Sequence, residues 1–452
     1  MPTAIRSASA SCASRRAPLG RSATTAAKAV KALTAIAAAA ALSACGGGDD
    51  GAYTVSGSVS GLTTSGLVLS NGSETISVAA NASSFAFTTT VSGSYTVTIS
   101  SQPVGQTCSL SNASGTASSN ITNVVATCRN YLALSANASS ANVTAFTVAS
   151  TGALTSSATT STGSLQPAGL AVTSDGKYAF ASYRENGTVS AFSVSSTGAL
   201  TSLGTGSAVA DSRGIAVSPG NSTVYVANYS DKSVSQFAIN SNGTLSALST
   251  PKVSTGSTPM AVVVTPNGSF AYVSNQGDNT LSQFSVGSSG ALTALSTATV
   301  STGSGTQPQA LAVSPDSKYL YVTLKGTGKV AQYTIGSTGA LTASSPASVS
   351  AGTSPSAIAL TPAGNCAYVA NTGDATLSQY IITSGLMTPL SAATIGAGAN
   401  VSAVAVSPDG THVYATNGGE GTLTAYTVGS ACALTFLSTV TTGTTPTALV
   451  VR

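Results

Sequence analysis

Few side chains in this sequence can do acid–base or metal chemistry. Of 452 residues only 6% are charged, and His412 is the one histidine. A metal centre built from several imidazoles is excluded within one chain. So is covalent haem, for want of a Cys-x-x-Cys-His motif. The charges that do cluster are Tyr183-Arg184-Glu185, Asp211-Ser212-Arg213 and Asp231-Lys232. An arginine among polar loops can grip a carboxylate or phosphate with a planar fork of donors. Arg184, Glu185, Asp211, Arg213, Asp231 and Lys232 are therefore candidates for a polar ligand site. The competing reading is solvated loop charges, because exposed pairs interact weakly. No phosphate-binding or dinucleotide-binding glycine loop sits between a strand and a helix, so no cofactor and no metal is expected.

The cysteines report on compartment. Cys108 and Cys128 lie 20 positions apart in one short β-rich segment and are expected to pair. Closing a loop of that size stabilises by roughly 3 kcal/mol in the chain-entropy model. Cys366 and Cys432 fall at turns of adjacent repeats, on one face. A bond between them requires Cα atoms within about 7 Å. Two pairs of this kind suit an oxidising environment.

The remaining cysteines, Cys12 and Cys45, belong to the start of the chain. Residues 1–31 are basic, 32–41 are mostly alanine, and Leu42-Ser43-Ala44-Cys45 follows. The apolar run is too short for a spanning helix, which needs about 20 residues. Residues 1–45 read as a secretory signal. Leu42–Cys45 resembles the bacterial lipoprotein box, which implies that Cys45 is acylated and becomes the mature N-terminus. With no Asp after it, that resemblance implies an outer-membrane address in the bacterial envelope. Arg15-Arg16 suggests a twin-arginine route but lacks the usual flanks. Six bases and no acid lie in residues 1–45, so a whole-chain charge of +4 leaves −2 for the rest. The mature surface has no electrostatic footprint for nucleic acid, and the membrane is met through the lipid anchor alone.

After a Gly/Asp linker (46–52), residues 53–128 alternate apolar and polar side chains between turn signals such as Asn71-Gly72 and Ser92-Gly93. Six or seven short strands predict a compact β-sandwich. It resembles the Ig-like spacer domains of bacterial surface proteins.

Internal repetition decides the architecture of residues 129–452. A large side chain recurs at Leu134, Phe180, Tyr225, Tyr272, Tyr321, Tyr368 and Tyr414, and an aromatic stands 12 positions after each. Seven units of about 47 residues, each with four strand-like runs, predict a seven-bladed β-propeller. The strands are named A to D from the channel outward. The first unit opens without a strand A, and the chain ends on Pro446–Arg452, a strand A with nothing after it. The two ends are expected to share one blade and lock the ring. The fold class is all-β throughout.

Tyr-Val-x-Asn at 225–228, 272–275 and 368–371 resembles the YVTN propeller repeat. Val404-Ala405-Val406-Ser407-Pro408-Asp409-Gly410 resembles the seven-bladed lactonase family, which includes 6-phosphogluconolactonase. That family implies His, Glu and Arg around the central channel. Here the residues opening each strand A are Ala168, Arg213, Met260, Gln309, Ser356, Ser402 and Thr447. None of them is a general base near neutral pH. His412 starts a strand B, at the turn facing away from that mouth, and is assigned to packing. Asn137, Asn228, Asn275, Asn371 and Asn417 end strands and are expected to bond the turn backbone. Asp175, Asp316 and Asp409 fit hairpin turns without calcium. Two functions follow. The first is a non-catalytic, lipid-anchored envelope protein whose propeller binds a protein or glycan partner or acts as a scaffold. The alternative is a lactonase in which Arg213 holds an anionic group.

Overall fold

The computed structural model describes residues 51–163, 165–208 and 211–452. The signal segment and the acylation expected at Cys45 lie outside the described residues.

Eight strands make the N-terminal sandwich: β1 (Val55–Ser60), β2 (Leu67–Asn71), β3 (Glu74–Val78), β4 (Ser84–Ala86), β5 (Ser94–Ser101), β6 (Gln106–Ser111), β7 (Ser114–Thr116) and β8 (Ile121–Asn130). They form two four-stranded sheets, ordered β4-β1-β8-β6 and β3-β2-β5-β7. Val55, Leu67, Leu69, Val97 and Val124 fill the space between them. Strands β6 and β7 escape sequence reading because Ser, Thr and Gln replace the apolar alternation. Gln106 explains how β6 is held. It is buried, and its amide accepts from the Thr63 and Thr64 N–H groups and donates to the Gly61 carbonyl. A disulfide joins Cys108 to Cys128, which face each other directly across β6 and β8.

Seven further four-stranded antiparallel sheets follow. Blade 2 holds strands A to D at Pro167–Val172, Tyr178–Tyr183, Thr188–Val194 and Leu200–Ser207; blade 3 holds them at Ser212–Val217, Thr223–Asn228, Ser233–Ile239 and Leu245–Ser254. Blades 4 to 7 span 259–301, 308–350, 355–396 and 401–441. Blade 1 takes strands B to D from Leu132–Asn137, Asn142–Val148 and Leu154–Ser161, and its strand A from Pro446–Val451. Val450 pairs with Leu134 and Leu449 with Ser135, so the chain's two ends close the ring in register.

Burial follows the position of a strand within its blade. Strand B is covered on both faces by neighbouring blades, so Thr223–Asn228 is buried at every residue. Strand D is the outer edge, mostly exposed and rich in Ser and Thr, as at Leu292–Ser301. The sequence's low charge and high hydroxyl content come largely from these edges.

One contact repeats around the ring. The first residue of each strand B rests on a left-handed residue in the next blade's C–D turn. At six of these turns the residue is glycine, with φ of 79–84°. A side chain there would meet its neighbour: a Cβ on Gly385 would lie 2.1 Å from the Tyr319 ring, and one on Gly339 2.3 Å from Phe270. The seventh turn carries Cys432, at φ 66°, bonded to Cys366. The disulfide is a covalent form of the contact that glycine makes elsewhere. The central Tyr of strand B adds a hydrogen bond at the same place. Tyr225, Tyr272, Tyr321, Tyr368 and Tyr414 donate to the carbonyls of Gly290, Gly339, Gly385, Cys432 and Gly152.

Replacing this pair, Cys366→Ser with Cys432→Gly to restore the glycine of the other six turns, is expected to lower stability by about 3 kcal/mol. Opening a loop of 66 residues removes about 4 kcal/mol, and relief of the left-handed cysteine returns about 1 kcal/mol. Urea unfolding of the two oxidised proteins measures the difference. An unchanged midpoint would show that packing at the turn, rather than the bond, holds blades 6 and 7 together.

Candidate functional site

The B–C turns and D–A loops open on one face, and the A–B and C–D turns on the other. On the first face the residues opening strand A ring the channel, each half-buried. Their hydroxyls are committed to neighbouring blades. Ser356 donates to the Val401 carbonyl, Ser402 to that of Pro446, and Thr447 to that of Pro167. Gln309 accepts from Gln276. These bonds stitch adjacent inner strands together, and Arg213 is the only charged member of the ring.

Two loops bring further charge to Arg213. In blade 2 the B–C turn presents Arg184 and Glu185. The D–A loop before blade 3 presents Asp211, held left-handed at φ 64° with its N–H bonded to the Arg184 carbonyl. That φ is not peculiar to the site, because Thr258, Gln307, Ser354, Asn400 and Thr445 share it at the equivalent places. The carboxylate is what distinguishes Asp211. Its Oδ1 lies 2.8 Å from Arg213 Nη2, with both side chains only about a quarter exposed. Its Oδ2 accepts from the Ser230 hydroxyl at 3.2 Å. The Arg213 guanidinium sits 4.8 Å from the centroid of the Tyr229 ring, a cation–π contact. Ser182 donates to the Arg213 carbonyl and fixes its backbone. Glu185 is exposed and accepts the Gln166 N–H through Oε2 at 3.0 Å.

The Nε atoms of both Arg184 and Arg213 are buried without a hydrogen-bond partner among the described residues. Burial is the largest influence on Arg184, and the nearby Arg213 adds to it. Together they hold its guanidinium below the usual range, against the opposing pull of Asp211 and Glu185. Two cations and two carboxylates thus share one corner of the channel mouth. Within it Arg213 and Asp211 are mostly shielded from water, Arg184 is half-buried and Glu185 is exposed.

Asp231 and Lys232 make no hydrogen bond or ion pair with Arg184, Glu185, Asp211 or Arg213 among the described residues. Asp231 is taken by Lys252 at 2.9 Å and by the Ser233 hydroxyl at 2.8 Å. Lys232 is an exposed turn residue at φ 51°. Sequence reading missed Tyr229 and Ser230, whose chemistry is legible only once Asp211 is placed beside them.

The asparagines correct the sequence-based expectation. Each side-chain amide nitrogen donates to side chains five and seven residues on, such as Ser233 and Ser235 for Asn228, and Thr376 and Ser378 for Asn371. Only the oxygens of Asn371 and Asn417 meet loop backbone, at Gly352 and Gly398. These asparagines are fully buried, so they face the sheet interior rather than the turn. His412 packs on Gly152, accepts or donates at Nδ1 with Thr411, and stacks on Tyr414. Burial lowers its pKa. It lies between blades 7 and 1, on the face opposite Arg213. Asp316 and Asp409 each cap a hairpin by accepting the N–H two residues on.

The family model described as "Lactonase, 7-bladed beta-propeller" matches residues 123–384 and 310–451. The chain belongs to that family. Among solved structures, a proposed 6-phosphogluconolactonase of Bacteroides fragilis is 19% identical with a TM-score of 0.64, covering 71% of this chain and 98% of that one. The periplasmic gluconolactonase PpgL of Pseudomonas aeruginosa is 20% identical with a TM-score of 0.61, covering 71% of this chain and 98% of that one. At such identity these likenesses speak to the fold. No curated protein matches by sequence.

Proposed function

We propose that the protein hydrolyses an uncharged sugar lactone at the Arg184–Arg213 corner of the channel mouth. The observation that carries this reading is the juxtaposition of two arginines and two carboxylates there. It weighs against one ground of the non-catalytic role, a channel mouth without acids; the lipid anchor, the spacer domain and the regular Ser/Thr/Gly-rich repeats are its other grounds. Glu185 and Asp211 come from loops outside that ring and supply the acids it lacks.

In the proposed reaction a water oxygen attacks the lactone carbonyl. Arg213 and Arg184 offer N–H donors to the oxyanion, the kind of electrostatic stabilisation that dominates acyl transfer. Glu185, held through one oxygen, accepts the proton of the attacking water. The ring C–O bond then breaks, and the departing alkoxide takes up the proton that Glu185 accepted, which gives the open hydroxy acid and restores the carboxylate. The charges at the corner sum to zero, which favours a neutral lactone over a phosphorylated one. A phosphate would want several unopposed cations. The name of the Pseudomonas neighbour supports the same preference. An envelope location is part of the proposal, supported by the two disulfides and by the lipobox-like Leu42–Cys45.

Turnover of glucono-δ-lactone by the purified protein, followed by acid release, should exceed that of its 6-phosphate by at least about tenfold, one charge–charge mismatch being worth that much. The reverse preference would overturn the neutral-substrate reading. No turnover of either, with a protein or glycan recovered by crosslinking on intact cells, would return the propeller to a binding or scaffold role.

A further inference from the structure

On the face opposite the arginine corner, the sandwich and the ring enclose a cavity of about 480 Å³. Its size suits a drug-sized organic molecule. Leu110 and Val125 of the sandwich form one apolar wall, and Leu134, Val172 and Val450 of blades 1 and 2 form the other. Four charged side chains line it: Arg129, Asp175, Lys177 and Arg452. Lys177 is paired with Asp175 at 3.1 Å. The guanidinium groups of Arg129 and Arg452 have no hydrogen-bond or ion-pair partner among the described residues. Arg452 is anchored through its backbone, which exchanges both hydrogen bonds with Leu132.

An apolar chamber with two unpaired cations has a defined complement. We propose that this cavity binds an amphipathic carboxylate, a molecule with one anionic head and an apolar chain. The head would take charge-assisted hydrogen bonds from Arg129 and Arg452, and the chain would cover the aliphatic walls. A phosphate or sugar would leave those walls wet, and a neutral lipid would leave both cations unpaired. The site is independent of lactone hydrolysis: it lies on the other face and shares no residue with the arginine corner.

The test is calorimetric titration of the purified full-length protein with decanoate and with 1-decanol. Decanoate should bind at least about tenfold tighter, the effect of one to two charge-assisted hydrogen bonds. In Arg129→Gln/Arg452→Gln that preference should fall to within about threefold, with decanol affinity unchanged. Both residues lie at the surface of the sandwich and the chain end, and thermal melts check that the variant is folded. Equal affinity of the wild-type protein for the two probes would overturn the carboxylate assignment. So would absence of binding, or a preference that survives the double substitution.

Discussion

Removal of Pro446–Arg452 is expected to abolish the cooperatively folded propeller, although only seven residues are lost. These residues supply the innermost strand of blade 1, and its sheet would be left as three strands with Leu132–Asn137 as an open inner edge. Leu449 and Val451 are buried against Ala403 and Tyr414 of blade 7 and against Phe146 of blade 1. Burying each such aliphatic side chain contributes about 1.5–3 kcal/mol. Six backbone positions would also lose their ladder partners, each net bond being worth about 0.5–1.5 kcal/mol. The combined loss approaches the entire stability of an ordinary domain, about 5–15 kcal/mol. Blades 7 and 1 would part, since strand A of blade 1 is what blade 7 packs on from inside. Near-ultraviolet circular dichroism and thermal melting of the truncated chain provide the check. A sharp transition within about 5 °C of the full-length protein would mean that the ring holds without the shared blade.

The second large effect concerns chemistry. Arg213→Ala should reduce kcat for glucono-δ-lactone by about 10²–10³, the loss that follows removal of one oxyanion donor. KM should change much less, because the arginine is asked to act on charge that develops in the transition state. Arg213→Lys should recover little of the rate. A lysine keeps the charge but loses the planar fork that both bonds Asp211 and stacks over Tyr229. Glu185→Gln is the companion variant, and its exposed position keeps folding out of the comparison. It should flatten the acid limb of the pH–rate profile, whereas a structural role for Glu185 would leave that limb in place. If Arg213→Ala retains wild-type kcat, the corner is not where hydrolysis occurs. Its contribution would then be confined to holding Asp211 and Tyr229 at the start of blade 3.

Those blades are also where the ring's own regularity lapses. Between blades 3 and 7 each interface carries a Tyr hydroxyl bond and a Gln side chain spanning to the next blade. Gln283, for example, accepts from the Leu341 N–H and donates to the Thr297 carbonyl. Blades 1 and 2 have Leu134 and Phe180 in place of the Tyr, and Ala145 and Ala191 in place of the Gln. Neither substitute can donate or accept. The charged corner therefore sits beside interfaces that lack both of these ties, where the Asp211 N–H bond to the Arg184 carbonyl, the Tyr178 hydroxyl bond to the Ser241 carbonyl and the Asn221–Ser174 bonds supply others.

The sequence by itself determined the ring. Strand B is buried on both faces in every blade, so its large residue and the aromatic 12 positions later must recur, and a period near 47 becomes visible without coordinates. It also determined the closure, because an unpaired strand A at one end and a missing one at the other have a single economical partner. Tertiary structure decided matters that depend on approach between distant loops. Cys366 and Cys432 are 66 positions apart, and only the stacking of blades 6 and 7 shows that one stands where glycine contacts the other. Asn228 and its counterparts have the same composition whether they serve a turn or the sheet interior, and only burial distinguishes the two. Arg184 and Arg213 lie in different blades, and the acids beside them come from loops whose path the repeat does not specify. Local pattern reports which face of a strand is dry, whereas the meeting of two loops is set by how neighbouring blades pack.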